Sequence, residues 1–271
     1  MDDADLMDIG VAAAVDARGV GRIEIARPDR MNALSHRASR FVADTLTEWS
    51  TDDAVRVVVL DGAGGNFSAG ADIVDIAQRA ASTGTDSGGL DRHQAHSTIS
   101  TGSNMVKAVR SVRVPVIAAV DGAAVGIGAS LALVADLAFA TARSYFLLAF
   151  INIGLMPDGA ASATVAAAMG RARANRMILL GEKLPATEAF DAGLISGLVA
   201  DRDDLDATVD AVVAKLLASS PEALRLAKES VDAETMHGFD AALERELAGQ
   251  TKLLQSPEFR AALRRFTGGV S

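Results

Sequence analysis

The chain contains no cysteine in 271 residues, so disulfides, thiol nucleophiles and cysteine-held metals are all excluded, and the composition suits a reducing compartment. Aromatic residues are scarce: one Trp, one Tyr and nine Phe supply no stacking platform for unpaired bases. Cations are in deficit, with a formal net charge of −9, which leaves no basic surface for a nucleic-acid backbone. The start, Met-Asp-Asp-Ala-Asp, is the opposite of the basic start of a secretory signal. No uninterrupted apolar run reaches membrane-spanning length, because the longest candidate, residues 114–140, carries Asp121, Asp136 and several glycines. The expectation is a soluble, cytoplasmic protein that partners neither nucleic acid nor membrane.

What the chain has is hydrophobic residues, 49% of the total, enough for a large core. Residues 11–15 and 21–26 flank Asp16-Ala-Arg-Gly19 and read as a β-hairpin, which Arg27-Pro-Asp-Arg30 ends. Residues 35–50 carry Phe41, Leu46 and Trp49 at helical spacing with Ser35 as a cap, and residues 55–60 are a β-rich run. The small, polar stretch 80–89 has nothing to bury; it reads as a mobile surface segment and a candidate lid before a helix over 97–112. Residues 114–120 form the next strand, a helix runs through Leu133, and short β-prone pieces follow at 137–140 and 145–149. Residues 164–180, 187–192, 203–219, 221–233, 239–254 and 257–266 all read as helices. The expectation is therefore an α/β part over 1–200 followed by a helical region over 201–271.

Two glycine-rich turns leave these strands: Gly62-Ala-Gly-Gly-Asn-Phe-Ser-Ala-Gly-Ala-Asp-Ile73 after the first, and Asp121-Gly-Ala-Ala-Val-Gly-Ile-Gly-Ala-Ser130 after the second. Glycine lets the main chain bend sharply and approach a ligand, and a helix opening after the turn presents unpaired N–H groups. Two such turns converging on one carbonyl oxygen stabilise negative charge developing there. A dinucleotide-binding pattern does not fit, since Phe67 occupies the third glycine position of the first turn and residues 122–128 have the wrong intervals.

Phe67-Ser-Ala-Gly-Ala-Asp-Ile73 and Pro115-Val-Ile-Ala-Ala-Val-Asp-Gly-Ala-Ala-Val-Gly-Ile-Gly-Ala-Ser-Leu131 resemble the two oxyanion segments of the crotonase superfamily, the enoyl-CoA hydratase/isomerase family. The resemblance covers most of the chain, from the strand before Arg30 to the helices beyond Gly193. It implies an α/β fold, a spiral of ββα units with a helical C-terminal oligomerisation region that builds a homotrimer or a dimer of trimers. It also implies a CoA thioester as substrate, with no covalently bound cofactor and no metal. By motif position, the backbone N–H groups of Ala71 and Ile127 are the oxyanion donors. Ala69, Asp72, Ile73 and Val74 fall beside the thioester and pantetheine arm, and Arg30 falls near the CoA phosphates. The family usually has Gly where Ile127 stands; a main-chain donor tolerates Ile wherever φ/ψ does not require glycine.

The acid/base groups depart from the hydratase pattern. Adding water to a conjugated thioester takes two glutamates in this family, and those positions are Ser130 and Phe150 here. Neither side chain replaces a carboxylate, so the two-glutamate mechanism is not available. Asp158, in Gly154-Leu-Met-Pro-Asp-Gly159, resembles the aspartate with which family isomerases shuttle a proton along the acyl chain. Moving a double bond from β,γ to α,β needs only one such group. Asp158 also follows a proline and precedes an Ala-rich helix, the placement of an N-cap, so capping stands beside catalysis as a reading.

Enoyl-CoA isomerisation is thus the favoured activity; a non-catalytic acyl-CoA-binding protein and a hydratase-like enzyme with a non-standard base are the alternatives. Ser130 reads as a small packing residue rather than a nucleophile, with no nearby His in sequence. His93 and His96 are three apart but show no third ligand, and read as a solvated helix start or lid segment. Glu244-Arg-Glu246 and Arg264-Arg265 read as solvated helix faces.

Overall fold

A computed structural model describes residues 9–81 and 90–267. Strands β1 (Val11–Val15) and β2 (Val20–Ile25) form the expected hairpin, antiparallel with Val11 opposite Ile25 and Val15 opposite Gly21. The remaining strands of the main sheet, β3 (Val57–Gly62), β4 (Val116–Val120), β6 (Leu137–Thr141) and β9 (Gly197–Val199), add in parallel to give the order β1-β2-β3-β4-β6-β9. A second sheet of three short strands, β5 (Ala123–Val125), β7 (Tyr145–Leu147) and β8 (Leu184–Pro185), grows from the turn after β4.

Parallel strands need crossovers, which helices supply, and helices pack on both faces of the sheet. β3 therefore reads as a continuous apolar run, with alternate residues facing opposite ways. Val58 and Leu60 pack with Val116, Ala118 and Val120 into the main core, under α1 (His36–Trp49) and α3 (Arg92–Ser111). Val57, Val59, Ile117 and Ala119 form a smaller core on the other face with Leu205, Val209 and Val213 of α7 (Arg202–Leu217). Ser35 caps α1 as expected, its Oγ accepting from the Ala38 N–H at 3.1 Å. The buried stripe is Ala38, Val42, Leu46 and Trp49, with Phe41 only half-buried at its edge.

Several element boundaries differ from the sequence reading, and the larger differences have local reasons. α3 starts at Arg92 rather than 97, because Asp91 and Gln94 form a reciprocal capping box. α5 (Ala161–Leu180) starts three residues before Thr164 and is broken at Gly170, whose φ of 76° and ψ of 161° are not helical. β8 and β9, of two and three residues, fall in the gaps between the helices read at 164–180, 187–192 and 203–219 and are too short to show a period of two. The candidate lid over 80–89 lies, beyond Ala81, outside the described residues.

The helices beyond residue 200 wrap the earlier part of the chain. α9 (Phe239–Leu253) packs on α3 and α5, while α10 (Pro257–Thr267) packs on α2 (Ile73–Ala81) and the turn over Ala149–Ile153. α7 lies on the sheet face remote from them. Leu205→Ala is therefore expected to lower the unfolding free energy by about 2–5 kcal/mol in urea titration. Its affinity for an acyl-CoA, measured by calorimetry, should match that of the parent chain.

Candidate active site

The turns after β3 and β4 zip together beyond the edge of the sheet. The Phe67 and Ser68 N–H groups both donate to the Ala123 carbonyl, at 3.0 and 2.9 Å, and the Val125 N–H donates to the Ser68 carbonyl at 2.9 Å. This makes a parallel bridge of Ser68 with Ala124. Side chains brace it. Asn66 Oδ1 accepts from the Ala123 N–H at 3.1 Å, and Ser68 Oγ donates to the Asn32 carbonyl at 2.8 Å. Asn32, fully buried, donates through Nδ2 to the carbonyls of Ala63 and Asn66. Gly70 sits against the second turn at a φ of 90°, where a Cβ would lie 2.6 Å from the Val125 carbonyl oxygen. Only glycine fits there.

The residues after this contact carry the expected donors. Ala71 follows Gly70, and Ile127 opens α4 (Ile127–Leu133) after Gly126. Among the described residues, neither the Ala71 nor the Ile127 N–H donates a hydrogen bond within the chain, whereas their neighbours Gly70, Asp72 and Gly126 all do. Ile127 adopts helical backbone angles rather than a positive φ, so it needs no glycine. Both residues line a cavity of about 420 Å³. Its walls are mostly apolar, with Ile73, Ile99, Phe150, Leu155 and Phe259 among them, and Ala69 and Asp158 also line it. This is the form of a small-molecule site: an apolar cleft with few, placed polar groups.

Asp158 is buried, with Oδ1 lacking any hydrogen-bond partner among the described residues and Oδ2 accepting only a long 3.4 Å bond from Gln250 Nε2. The amides at the start of α5, which Asp158 was placed to cap, are taken by another residue. Glu246 accepts from the Ala160 N–H at 2.6 Å, from the Ser162 N–H at 3.2 Å and from Ser162 Oγ at 2.5 Å. Reading Glu246 as part of a solvated helix face is thus corrected: it is 1% exposed, on the face of α9 that meets α5. The charged triplet around it hid this, because Glu244 and Arg245 are exposed while the third member points inward. Gln250, one turn later, donates to the Met156 carbonyl at 2.5 Å and so holds the segment before Asp158.

Burial and the nearby Glu246 charge push the Asp158 carboxyl up to about 8, against a small lowering by Gln250. Burial also raises Glu246, opposed by its bonds from Ser162 and Ala160. The donors therefore favour charge on Glu246 and a proton on Asp158.

Ser130 and Phe150, the residues expected at the hydratase glutamate positions, are both neutral. Ser130 Oγ donates to the Asp158 carbonyl at 2.8 Å, and the Phe150 ring lines the cavity. Arg30, Asp72 and Val74 are not among its lining residues. Asp72 instead starts α2: Oδ1 accepts from the Val74 and Asp75 N–H groups at 3.0 and 3.2 Å, and Oδ2 pairs with Arg27 at 2.9 Å, with Arg30 at 3.8 Å. His93 and His96 are exposed on α3, and no cluster of three potential metal ligands occurs among the described residues. A polar corner formed by His36, Asp75, Arg79 and Thr98 also lines the cavity, which sequence reasoning missed because its members lie on three helices.

Paired amide donors over an apolar cleft, carried on a spiral of ββα units with a helical C-terminal region, define the crotonase class of fold. The chain belongs to the enoyl-CoA hydratase/isomerase family, whose model matches residues 16–268. It is 30% identical over 251 residues, 92% of each chain, to the 1,2-epoxyphenylacetyl-CoA isomerase of Escherichia coli K12. It is 27% identical over 92% of each chain to the trans-2-decenoyl-[acyl-carrier-protein] isomerase of Streptococcus mutans. An enoyl-CoA hydratase structure from Mycobacterium avium subsp. paratuberculosis superposes with a TM-score of 0.84 at 38% identity, covering 96% of both chains. The family is one of enzymes acting on acyl-CoA thioesters, and its names include both hydratases and isomerases. No described helix is long and apolar enough to cross a membrane.

The electrostatics of Asp158 set a stability test. With its carboxyl raised to about 8 in the folded chain, the native state holds more protons than the unfolded state from about pH 4 upward, so stability falls as pH rises toward 8. Asp158→Asn removes the buried charge and should stabilise the protein on the order of 1–3 kcal/mol at pH 8, with a flatter pH dependence in denaturant titrations.

Proposed function

We propose that the protein is an enoyl-CoA isomerase that moves a double bond from the β,γ to the α,β position, with Asp158 as the single proton carrier. The observation that carries this reading is the buried, unpartnered Oδ1 of Asp158 in the wall of the cavity that Ala71 and Ile127 also line. The thioester oxygen accepts from the Ala71 and Ile127 N–H groups. Asp158 removes a proton from C2; the C2–H electron pair becomes the C1=C2 bond of a dienolate as the carbonyl electrons shift onto the thioester oxygen, and C2=C3 forms when C4 is protonated. Negative charge spreads over the thioester oxygen, C2 and C4, and the two amides stabilise it most where it is greatest, on oxygen. Asp158 then returns the same proton to C4. No water is consumed, and neither step calls on Ser130 or Phe150.

A carboxyl raised toward neutral pH suits this role, since a base is strongest when its proton affinity approaches that of the carbon acid while it remains ionisable. Glu246 sets that affinity from outside the cavity as a positioning residue. The same reading extends to a homotrimer or a dimer of trimers in the cytoplasm. In its support, α8 (Pro221–Thr235) buries none of its residues and exposes Leu226 and Val231.

Purified protein should convert a 3-enoyl-CoA to the conjugated 2-enoyl thioester, with no covalently held cofactor. Asp158→Asn should lose about 10²–10⁴ of that rate while still binding a saturated acyl-CoA. Unchanged turnover in this variant would overturn the assignment. The pH profile of kcat/KM should rise with deprotonation near pH 8 in the parent chain. In Glu246→Gln, which lacks the neighbouring charge, the same limb should move to lower pH, whereas a purely structural Glu246 would change the rate without moving it.

A further inference from the structure

The polar corner of the cavity holds a hydrogen-bond donor with no acceptor among the described residues. His36, the first residue of α1, is fixed from two sides: its backbone N–H donates to Asp75 Oδ2 at 3.1 Å, and its Nδ1 meets Arg79 Nη1 at 3.0 Å. A guanidinium is always charged and only donates, so Nδ1 is the acceptor and the imidazole proton sits on Nε2. The same Arg79 nitrogen also donates to Thr98 Oγ1 at 3.2 Å, and Thr98 donates to the Gln94 carbonyl at 2.8 Å, so the arrangement is anchored to α3. Burial and the Arg79 charge lower the basicity of the imidazole, which keeps the ring neutral. The Nε2–H has no partner among the described residues, and His36 lines the cavity beside the apolar residues Leu34 and Ile73.

Its position relative to the donors is set by the backbone. Leu34 pairs with Ala71 in a parallel bridge, and the Asp72 N–H donates to the Leu34 carbonyl at 2.9 Å. His36 therefore lies two residues along the chain from the oxyanion segment's partner and bonds to Asp75, one helical turn beyond Ala71. It faces the same cavity as the thioester oxygen's donors, displaced from them along α2.

We propose that His36 determines substrate class: its Nε2–H donates to an oxygen on the acyl group, so the preferred substrate is an acyl-CoA bearing a carbonyl or hydroxyl oxygen away from the thioester rather than a plain hydrocarbon chain. The inference rests on the acyl-CoA reading of the cavity. Asp75 and Arg79 flank the imidazole with opposite charges, which favours a neutral oxygen over a carboxylate. A site built around a hydrogen bond rejects the analogue lacking it, because its own donor is then left unpaired.

The test is calorimetric binding of saturated acyl-CoA pairs of equal length, one plain and the other carrying a keto or hydroxyl group at successive positions. Saturated chains cannot isomerise, so the result does not depend on Asp158 acting as the base. The parent chain should bind at least one oxygenated isomer about tenfold more tightly than its plain counterpart. His36→Phe should abolish this preference, the ratio of the two affinities falling to about one, and His36→Gln, which keeps an N–H donor, should retain part of it. Equal affinity for plain and oxygenated chains in the parent protein would overturn the inference. So would equal weakening of both in His36→Phe, which would place the imidazole against the CoA arm, or a preference that persists in that variant. Failure of every saturated acyl-CoA to bind the parent chain would instead strike the acyl-CoA reading itself.

Discussion

The ladder between the Ser68 and Ala124 segments is the constraint on which the site depends. β3 and β4 are neighbouring parallel strands, and their turns leave the sheet at the same edge. Parallel strands open their carboxyl ends to one side, which is where α/β proteins place ligands. Here the hydrogen bonding continues past the strand ends, from Phe67 and Ser68 to Ala123 and from Val125 back to Ser68. Once those bonds form, the amides of Ala71 and Ile127 follow within three residues and are left with no acceptor among the described residues. The close approach leaves no space for a side chain at Gly70, nor at Gly128, where a Cβ would lie 2.7 Å from that of Ser68.

The acid on the opposite side is governed by a division of labour between two buried carboxylates. A helix start needs its free amides satisfied, and a proton carrier needs a carboxyl with no strong donors to hold its charge. One residue cannot serve both ends. Glu246 reaches across from α9 to take the amides of Ala160 and Ser162, which leaves the Asp158 carboxyl with Gln250 as its one donor among the described residues. The same burial that tunes Asp158 costs stability, the usual relation between a functional group and the fold that holds it. Ala160 shows a related strain, holding a φ of 56° without being glycine.

The cavity walls separate two kinds of recognition. In the proposed reaction the amide donors and the acid act on atoms near the thioester, where any acyl-CoA presents the same groups. The corner of His36, Asp75, Arg79 and Thr98 is a separate polar group in a mostly apolar lining, and is proposed to meet the part of the acyl group that differs between substrates. Chemistry and selectivity can therefore vary independently in one fold, which fits a family whose members carry the names of both hydratases and isomerases.

The hairpin, the first two crossovers and both glycine turns were legible from the sequence, because each rests on local rules: alternation, a capping serine, or glycine where the chain must bend. That Ser130 and Phe150 carry no carboxylate is read directly from the order of residues; the structure adds only that Ser130 bonds the Asp158 carbonyl and that Phe150 lines the cavity. What the sequence could not show were contacts between distant segments. Glu246 looked like its exposed neighbours, and only the packing of α9 on α5 buries it against amides more than eighty residues earlier. His36 carries no motif, and its proton is placed on Nε2 by an arginine on another helix. The sequence by itself determined where the backbone bends and which acids are absent; the tertiary structure decided which remaining acid is left uncompensated, because desolvation and charge pairing depend on what surrounds a group in space.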